Sequence, residues 1–458
     1  MSFLFKNNTD LDLYKIVIKG KKFMKHSKLY TYSFLLALII VLFIVFRTSV
    51  IKNSYSETIG FVDESANSDY IVENAINFSL ETKQEYEKLT DDIFIKNMAD
   101  FSIEIFKKTI SPTENSLVSP LSIMLALAMT ANGADGETLF EMERLLAGSA
   151  SISDLNDYLH SFTENLPSIE KSKLEIANSI WIRDDGSLTI VPDFLQTAID
   201  FYKATINKSS FDIQTLNDIN DWVKSNTDGL ITEIIERIER DDIMFLINAV
   251  VFDAEWMSGY EESDVRKRDF TNKNGNVVNI DFMHSEEGLY IENNMVIGFR
   301  KPYIHDHYSF VALLPKQDVN IEEYIYSLTG ESFINTLENS YRSVVRASMP
   351  KFEFEYDIIL NSTLMELGIP LAFNEHFADF KKMATSRVGN IFISKVQHKT
   401  FISVDEIGTK AAAATSVTMT ARSVPPPPKI VHLDRPYVFA IIDNKTNVPI
   451  FIGTIMAF

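Results

Sequence analysis

The sequence predicts an α+β domain, because helical patterns cluster in the first half of its main body and strand patterns in the second. Residues 93–110 repeat apolar side chains at the three- and four-residue spacing of one helix face. Residues 352–357 alternate aromatic and acidic side chains, which is typical of a half-buried strand. Two apolar runs, 437–443 and 448–458, indicate further strands. Segregation of this kind favours an antiparallel or mixed sheet.

Residues 115–146 contain a helix start, a break and a restart. The run opens with Ser and Pro residues, which favour the first turn of a helix. Asn132-Gly133 interrupts the pattern, and a second helix is expected from Glu137. The sequence shows no internal repeat, so a single mixed domain is expected rather than a repeat array.

Composition excludes several classes of protein. The 458 residues are 46% apolar and 23% charged, which is ordinary for a globular protein with a large core. There are no cysteines, which excludes disulfides, thiolate metal sites and a cysteine nucleophile. The net charge of −20 divides into +6 for residues 1–47 and −26 for the remainder. So acidic a body argues against nucleic acid as a partner, because phosphate binding needs a basic face.

An apolar segment near the N-terminus predicts a membrane anchor. The 18 uncharged residues between Lys28 and Arg47 would extend about 27 Å as a helix, close to the hydrocarbon thickness of about 30 Å. Seven lysines precede the segment, and positive charge favours the cytoplasmic side. A cleavable signal peptide is the alternative, because the strictly apolar part, 34–46, has only 13 residues.

The predicted organisation has four parts. Residues 1–28 form a basic cytoplasmic tail, 29–47 a transmembrane signal-anchor or signal peptide, 48–90 a polar stalk and 91–458 the main domain. With residues 29–47 uncleaved in the membrane, the protein would be a single-pass cell-surface protein whose C-terminal domain lies outside the cytoplasm. With that segment cleaved, the protein would be secreted.

The sequence lacks the motifs of common enzyme classes. It contains no G-x-S-x-G elbow, no phosphate-binding P-loop, no G-x-G-x-x-G and no H-E-x-x-H. The triplet His305-Asp306-His307 has side chains that can bind a metal, but such a triplet is more typical of a polar turn between strands. Neither a metal nor another cofactor is predicted, and no residue is assigned to catalysis.

Residues 404–429, VDEIGTKAAAATSVTMTARSVPPPPK, differ from an ordinary loop. From Gly408 to Thr420 the side chains are small or of modest size, apart from Lys410 and Met419. With a period of two, the segment can form a strand with one small, apolar face, although four consecutive alanines also favour a helix. A flexible, low-complexity surface loop is the alternative that composition alone supports.

This segment resembles the hinge and reactive-centre loop of a serpin, and other stretches agree in the family's order. They are NSLVSPLSIMLALAMTANGADGET, INDWVKSNTDG (219–229), LINAVVFDAEW (246–256), MPKFEFEYD, LMELGIPLAF (364–373), and VHLDRPYVFAIID with PIFIGTIMAF. The resemblance extends over about 370 residues. It implies the serpin fold, with about nine helices, three β-sheets and an exposed reactive-centre loop at about 406–428.

The resemblance implies a suicide inhibitor and not an enzyme. In this family a protease attacks the loop and forms an acyl-enzyme, and the cut loop inserts into the central sheet and traps the protease covalently. The family's spacing from Glu406 places the cleaved bond at Arg422-Ser423, with the bonds one residue to either side as alternatives. Arginine before the bond implies a trypsin-like serine endopeptidase as the partner of a monomeric inhibitor. A cysteine protease target, or a non-inhibitory binding or chaperone role, is the alternative.

The resemblance also assigns roles to residues around the loop. The predicted hinge residues are Glu406, Gly408, Thr409, Ala411, Ala412, Ala413 and Ala414, and the predicted sheet-opening network is Ser119, Ser122, Asn248 and His398, with Lys351 bridging to Glu406 above Trp256. The small hinge residues would let the loop enter a sheet. The sequence departs from the family at Lys410, expected to point outward, and at Asp253-Ala254, which puts the local turn geometry in doubt.

Overall fold

The computed structural model describes residues 91–240, 242–409 and 427–458. The predicted tail, anchor and stalk lie outside the described residues, as do the hinge alanines 411–414 and the predicted reactive bond Arg422-Ser423. Within the described ranges, no helix combines the length and the hydropathy that a membrane crossing requires.

Nine α-helices lie in the described residues, and local sequence signals set their ends. They are α1 (91–109), α2 (Pro120–Ala131), α3 (Gly136–Leu146), α4 (Ile152–Asn165), α5 (Pro192–Tyr202), α6 (Ile213–Asn226), α7 (Ile321–Ser327), α8 (Gly330–Glu338) and α9 (Asn361–Glu366). Helix α2 begins after Ser119, whose hydroxyl accepts a hydrogen bond from the Ser122 amide. The break predicted at Asn132-Gly133 is confirmed, since α2 ends just before it.

The strands alternate with these helices along the chain. They are β1 (Ser116–Val118), β2 (Ser172–Arg183), β3 (Leu188–Ile190), β4 (Thr205–Ser209), β5 (Met244–Glu255), β6 (Val265–Thr271), β7 (Val277–Glu292), β8 (Val296–Pro302), β9 (Tyr308–Pro315), β10 (Tyr341–Pro350), β11 (Phe352–Ile359), β12 (Ala384–Ser386), β13 (Gln397–Val404), β14 (Gly408–Thr409), β15 (Lys429–His432), β16 (Tyr437–Asp443) and β17 (Pro449–Ile455). Short 3-10 helices lie at Glu262–Asp264, Ile304–Asp306 and Pro370–Phe373. The predicted α+β class and the three predicted strand segments are confirmed.

One sheet of nine strands contains most of the apolar runs. Its order is β1-β17-β16-β9-β8-β7-β10-β15, with β6 also paired to β7. Strands β9, β16 and β17 are buried at every position, which explains why they read in the sequence as continuous apolar runs without alternation. The 16-residue strand β7 is long enough to pair with β6, β8 and β10 at different points along its length.

The second large sheet is divided in two. One part has the order β14-β5-β2-β4, and the other consists of β11 and β13. Strands β2 and β5 pair over eleven residues, from Ser172↔Ala254 to Ile182↔Met244. Within the described residues, no ladder joins β5 to β13, so each presents an open edge. The described strands therefore form four hydrogen-bonded groups, where three sheets were predicted. The number differs because the second large sheet is divided, because β3 and β12 form a separate pair, and because β7 joins its neighbours into one continuous sheet.

Two helices cover the divided sheet. Helix α2 is buried at 11 of its 12 residues and contacts both β5 and β17, which places it between the two large sheets. Helix α6 packs Ile219 and Val223 against Trp181 of β2 and Ile247 of β5, and these residues form a small core of their own. The open edges therefore lie in a layer with helical cover.

Candidate functional site

The chain reverses direction immediately after β13 and begins a new strand on β5. The Asp405 carboxylate accepts hydrogen bonds from the amides of Ile407 (2.8 Å) and Gly408 (3.2 Å), which closes a tight turn. Strand β14 then pairs antiparallel with β5, with Gly408 opposite Glu255 and Thr409 opposite Ala254. The first two residues of a further strand are thus already seated at the open edge of β5.

Gly408 occupies a position where a side chain has no room. A Cβ atom built on it would lie 2.1 Å from the Ala254 carbonyl oxygen and 2.8 Å from the Glu255 Cα. Both neighbours are backbone atoms of β5 and cannot rotate away. The predicted hinge glycine therefore has a steric role, because it allows the two strands to approach this closely.

Thr409 lies at the top of an apolar cavity between the two halves of the divided sheet. It is 3% exposed, and its hydroxyl lies 2.6 Å from the Tyr303 hydroxyl. The cavity is lined by Val250, Val251 and Phe252 of β5, Phe401 and Ile402 of β13, Ile441 and Phe451 of the nine-stranded sheet, and Thr227, Leu230 and Ile231 at and beyond the end of α6. An extended segment continuing from Thr409 would enter this space.

An ion pair joins Glu406, at the start of the hinge, to Lys351, which lies between β10 and β11. The Lys351 ammonium lies 2.7 Å from the Glu406 carboxylate, and the two side chains are 37% and 27% exposed. Burial is the largest single influence on Glu406 and opposes its ionisation, but the hydrogen bond and charge of Lys351, together with a backbone hydrogen bond, outweigh it and lower the pKa of that carboxyl below its usual value. The structure thus places these two residues in contact, as the resemblance implies.

Trp256 and Tyr260 hold the backbone of the hinge turn. The indole N–H of Trp256 donates to the Asp405 carbonyl at 2.9 Å, and its amide donates to Ile407 at 2.8 Å. The Tyr260 amide donates to the Glu406 carbonyl at 2.9 Å. Three consecutive hinge carbonyls are therefore bound by one short segment at the end of β5, which we call the hinge platform (residues 256–260).

The N-terminus of α2 connects the two open edges. The Ser119 amide donates to Nε2 of His398 on β13 at 3.0 Å. The Ser122 hydroxyl donates to the side-chain oxygen of Asn248 on β5. Since the Ser119 hydroxyl also accepts from the Ser122 amide at 3.3 Å, the helix start bridges β5 and β13. The four residues predicted as a network meet at this helix start.

His398 is buried and neutral. It is 6% exposed, and burial lowers its pKa to about 4. Its Nε2 accepts a hydrogen bond from Ser119, so the proton of the neutral ring resides on Nδ1. Protonation of Nε2 would remove the acceptor and place a charge in an apolar layer, so this contact requires the neutral ring.

Asn178 extends the network and was missed by sequence reasoning. Its side-chain oxygen accepts from Asn248 at 2.8 Å, and its amide donates to the Tyr202 carbonyl at 2.7 Å. The available signal was an asparagine–serine pair in the middle of an otherwise apolar strand. Burying polar side chains in such a strand costs folding free energy unless their polar atoms form hydrogen bonds.

Two other sequence features have simple structural accounts. The departure at Asp253-Ala254 lies inside β5, which stays regular there and pairs with both β2 and β14. The triplet His305-Asp306-His307 forms the turn between β8 and β9, where the Asn444 amide donates to the Asp306 carboxylate at 2.9 Å. In the described part of the chain, no three His, Cys, Asp or Glu side chains form a group suited to a metal ion.

The chain is similar to known proteins over this whole region. A family model described as Serpin (serine protease inhibitor) matches residues 96–458. The crystal structure of a thermophilic serpin, tengpin, in its native state is 55% identical, with a TM-score of 0.76, 80% of this chain covered and 94% of that chain.

Two curated relatives match at lower identity. An uncharacterized serpin-like protein of Thermococcus kodakarensis is 32% identical over 364 residues, which cover 78% of this chain and 84% of the relative. Serpin B8 of Homo sapiens is 31% identical over 379 residues, which cover 79% of this chain and 98% of the relative.

Proposed function

The chain belongs to the serpin family, whose members are generally protease inhibitors, and we propose that it is a suicide inhibitor of a trypsin-like serine endopeptidase. The predicted serpin fold is confirmed by this membership and by the architecture. The observation that carries the proposal is β14, whose two residues are paired on β5 at the entrance of an apolar gap.

The gap offers the backbone groups that a new strand needs. Strands β5 and β13 face it with open edges, and a strand between them would gain hydrogen bonds on both sides. Thr409 faces the cavity, and side chains alternate along a strand, so Ala411 and Ala413 would also face inward if the segment inserted as a strand. Small inward residues would suit the narrow cavity that β5 and β13 line. The hinge composition thus supports an inhibitor over a non-inhibitory member of the family.

We propose that cleavage followed by insertion traps the protease covalently. The target protease would attack the Arg422-Ser423 bond, and its serine would become esterified to the Arg422 carbonyl as the Ser423 amine leaves. Insertion of the 14 residues from Thr409 to Arg422 would then carry the attached protease about 46 Å, at about 3.3 Å per residue. Arginine before the bond matches a specificity pocket with a carboxylate.

The decisive experiment mixes the purified chain with trypsin and analyses the products on a denaturing gel. We expect an SDS-stable complex and a released C-terminal peptide that begins at Ser423. Arg422→Ala should eliminate the complex with trypsin and leave the fold intact. Cleavage without any complex would overturn the inhibitor proposal. A complex that persists with Arg422→Ala would move the reactive bond.

A second proposal concerns location. We propose that residues 29–47 anchor the monomeric inhibitor in a membrane, with the serpin domain outside the cytoplasm. Support comes from the 18 uncharged residues and the lysines that precede them. N-terminal sequencing of the mature protein tests the anchor, since a start near Glu57 would show that the segment is removed. Size-exclusion chromatography tests the monomer.

A further inference from the structure

A buried ion pair lies beneath the hinge platform. The Lys301 ammonium and the Glu287 carboxylate are 2.8 Å apart, and their side chains are 2% and 7% exposed. Among ion pairs of the described residues, it is the one with both partners almost completely buried. The sequence offered no indication of it, because the two residues lie on different strands, β7 and β8.

The pair contacts the hinge platform directly. Lys301 donates a second hydrogen bond to the Ser258 carbonyl at 2.9 Å. Its ammonium lies 4.4 Å from the ring centre of Tyr260 and 5.3 Å from that of Trp256, both within cation–π distance. One cation thus contacts the two aromatic rings and one backbone carbonyl of the platform.

Tyr303 continues this arrangement to Thr409. Its ring stacks on Trp256, with centres 4.5 Å apart and planes within 12°, and its hydroxyl bonds to Thr409. The Met257 amide also donates to the Pro302 carbonyl at 3.0 Å, next to Lys301. The hinge therefore contacts the platform, and the platform contacts the ion pair. The hydrogen bonds and ring contacts of Lys301 described above go to Glu287 and to the platform.

A buried ion pair adds little to the free energy of folding, but it can fix the orientation of the groups around it. Removing two charges from water costs about as much as their attraction returns, so apolar residues of similar size often serve stability equally well. An apolar side chain cannot, however, bind the Ser258 carbonyl or attract the ring faces. The presence of charged side chains at these two positions is thus better explained by a role in positioning the platform than by a contribution to the stability of the core.

We infer that Lys301 and Glu287 are positioning residues that fix the hinge platform and so stop the hinge at Thr409 until the loop is cut. This inference rests on the proposed insertion mechanism. Without the pair, the rings of Trp256 and Tyr260 would lose their orientation, and the three hinge carbonyls would be held less firmly. The uncut loop would then enter the gap more readily.

The test is the double variant Lys301→Met with Glu287→Gln, in which no buried charge is left unpaired. Loop entry is measured without protease, by hydrogen exchange in peptides of β5 and β13 during incubation at elevated temperature. Occupation of the gap should protect those edges. We expect protection to develop at least about tenfold faster than in the unchanged protein, equivalent to about 1.4 kcal/mol in the barrier. Trp256 emission, isolated by Trp181→Phe and Trp222→Phe, should also shift.

A matched control is Lys273→Met with Glu322→Gln, a pair 2.6 Å apart that joins the β6–β7 turn to α7. This control should protect its β5 and β13 edges at the unchanged rate. If the Lys301–Glu287 variant fails to fold by circular dichroism, Tyr260→Leu replaces it, since it removes the ring and keeps the amide that binds Glu406. Tyr260→Leu should show the same acceleration.

Unchanged rates of edge protection together with unchanged Trp256 emission, in either variant, would overturn the inference. Such a result would leave the ion pair as an ordinary part of the core. The inhibitor proposal is judged separately, by whether the unchanged chain forms an SDS-stable complex with trypsin. A failure of one can therefore be told from a failure of the other.

Discussion

The two large sheets of this protein use opposite solutions to the same packing problem. The nine-stranded sheet buries three consecutive members, β9, β16 and β17, completely and is held by apolar contact. The divided sheet has two open edges that are connected by polar groups at the start of α2 and by the hinge platform. Apolar packing stabilises a sheet without directional contacts, whereas a hydrogen bond at a sheet edge can be exchanged for one to a new partner. The second sheet is thus suited to accept a strand.

The largest effect is expected at the mouth of the gap. Thr409→Arg would place a long cation where a buried hydroxyl bonds to Tyr303, and burying an unpaired charge is very costly. We expect the covalent complex with trypsin to be lost while cleavage after Arg422 continues. The ratio of complex to cleaved protein on a denaturing gel measures this. Thr409→Ser, which keeps the hydroxyl, is the control and should inhibit normally.

A mutation in the nine-stranded sheet should change stability and leave inhibition intact. Phe439 is fully buried and stacks on Phe310, with ring centres 5.7 Å apart. Phe439→Ala should lower the free energy of unfolding by about 3–5 kcal/mol, measured by urea denaturation. The folded fraction should still form the complex at the same stoichiometry. A rise in that stoichiometry would contradict the division of roles between the two sheets.

Acid should act on the divided sheet through His398. The unfolded chain takes up a proton near the ordinary histidine pKa of 6.5, and the folded protein only near 4. Stability is therefore lost as pH falls from 6.5 to 4, by about 3 kcal/mol from this group. Unfolding free energies at several pH values measure it. His398→Gln, which keeps an acceptor, should flatten this part of the pH profile; an unaltered slope would assign the acid sensitivity elsewhere.

The smallest effect is expected from the half-exposed bridge. Lys351→Ala should lower the free energy of unfolding by less than about 1 kcal/mol, because solvent screens the pair with Glu406. Chemical denaturation measures this change, and titration of Glu406 by NMR should show its pKa rise toward the usual value. A loss of several kcal/mol would show that the bridge, and not the platform, holds the hinge.

The sequence was enough to predict the fold class, the helix break at Asn132-Gly133 and the strands near the C-terminus, because these depend on local periodicity and on residues that end helices. The resemblance to serpins located the hinge and the residues around α2. Neither could predict the Lys301–Glu287 pair or the role of Tyr303. Those contacts depend on which strands become neighbours and in which register, and a charged residue in a strand is ordinarily expected to face solvent. The number of sheets differed for the same reason.

Strand β15 has a mechanical consequence. The 19 residues from 410 to 428 connect Thr409, paired on β5, to Lys429, the first residue of β15. Strand β15 is an edge strand bound to β10 over only four residues. Strands β14 and β15 therefore hold the two ends of the uncut loop, and on the proposed mechanism full insertion without cleavage would require β15 to separate from β10. On the proposed mechanism, cleavage of a single peptide bond would release one end of the loop instead, so the protease itself would remove the constraint that keeps the loop out of the gap.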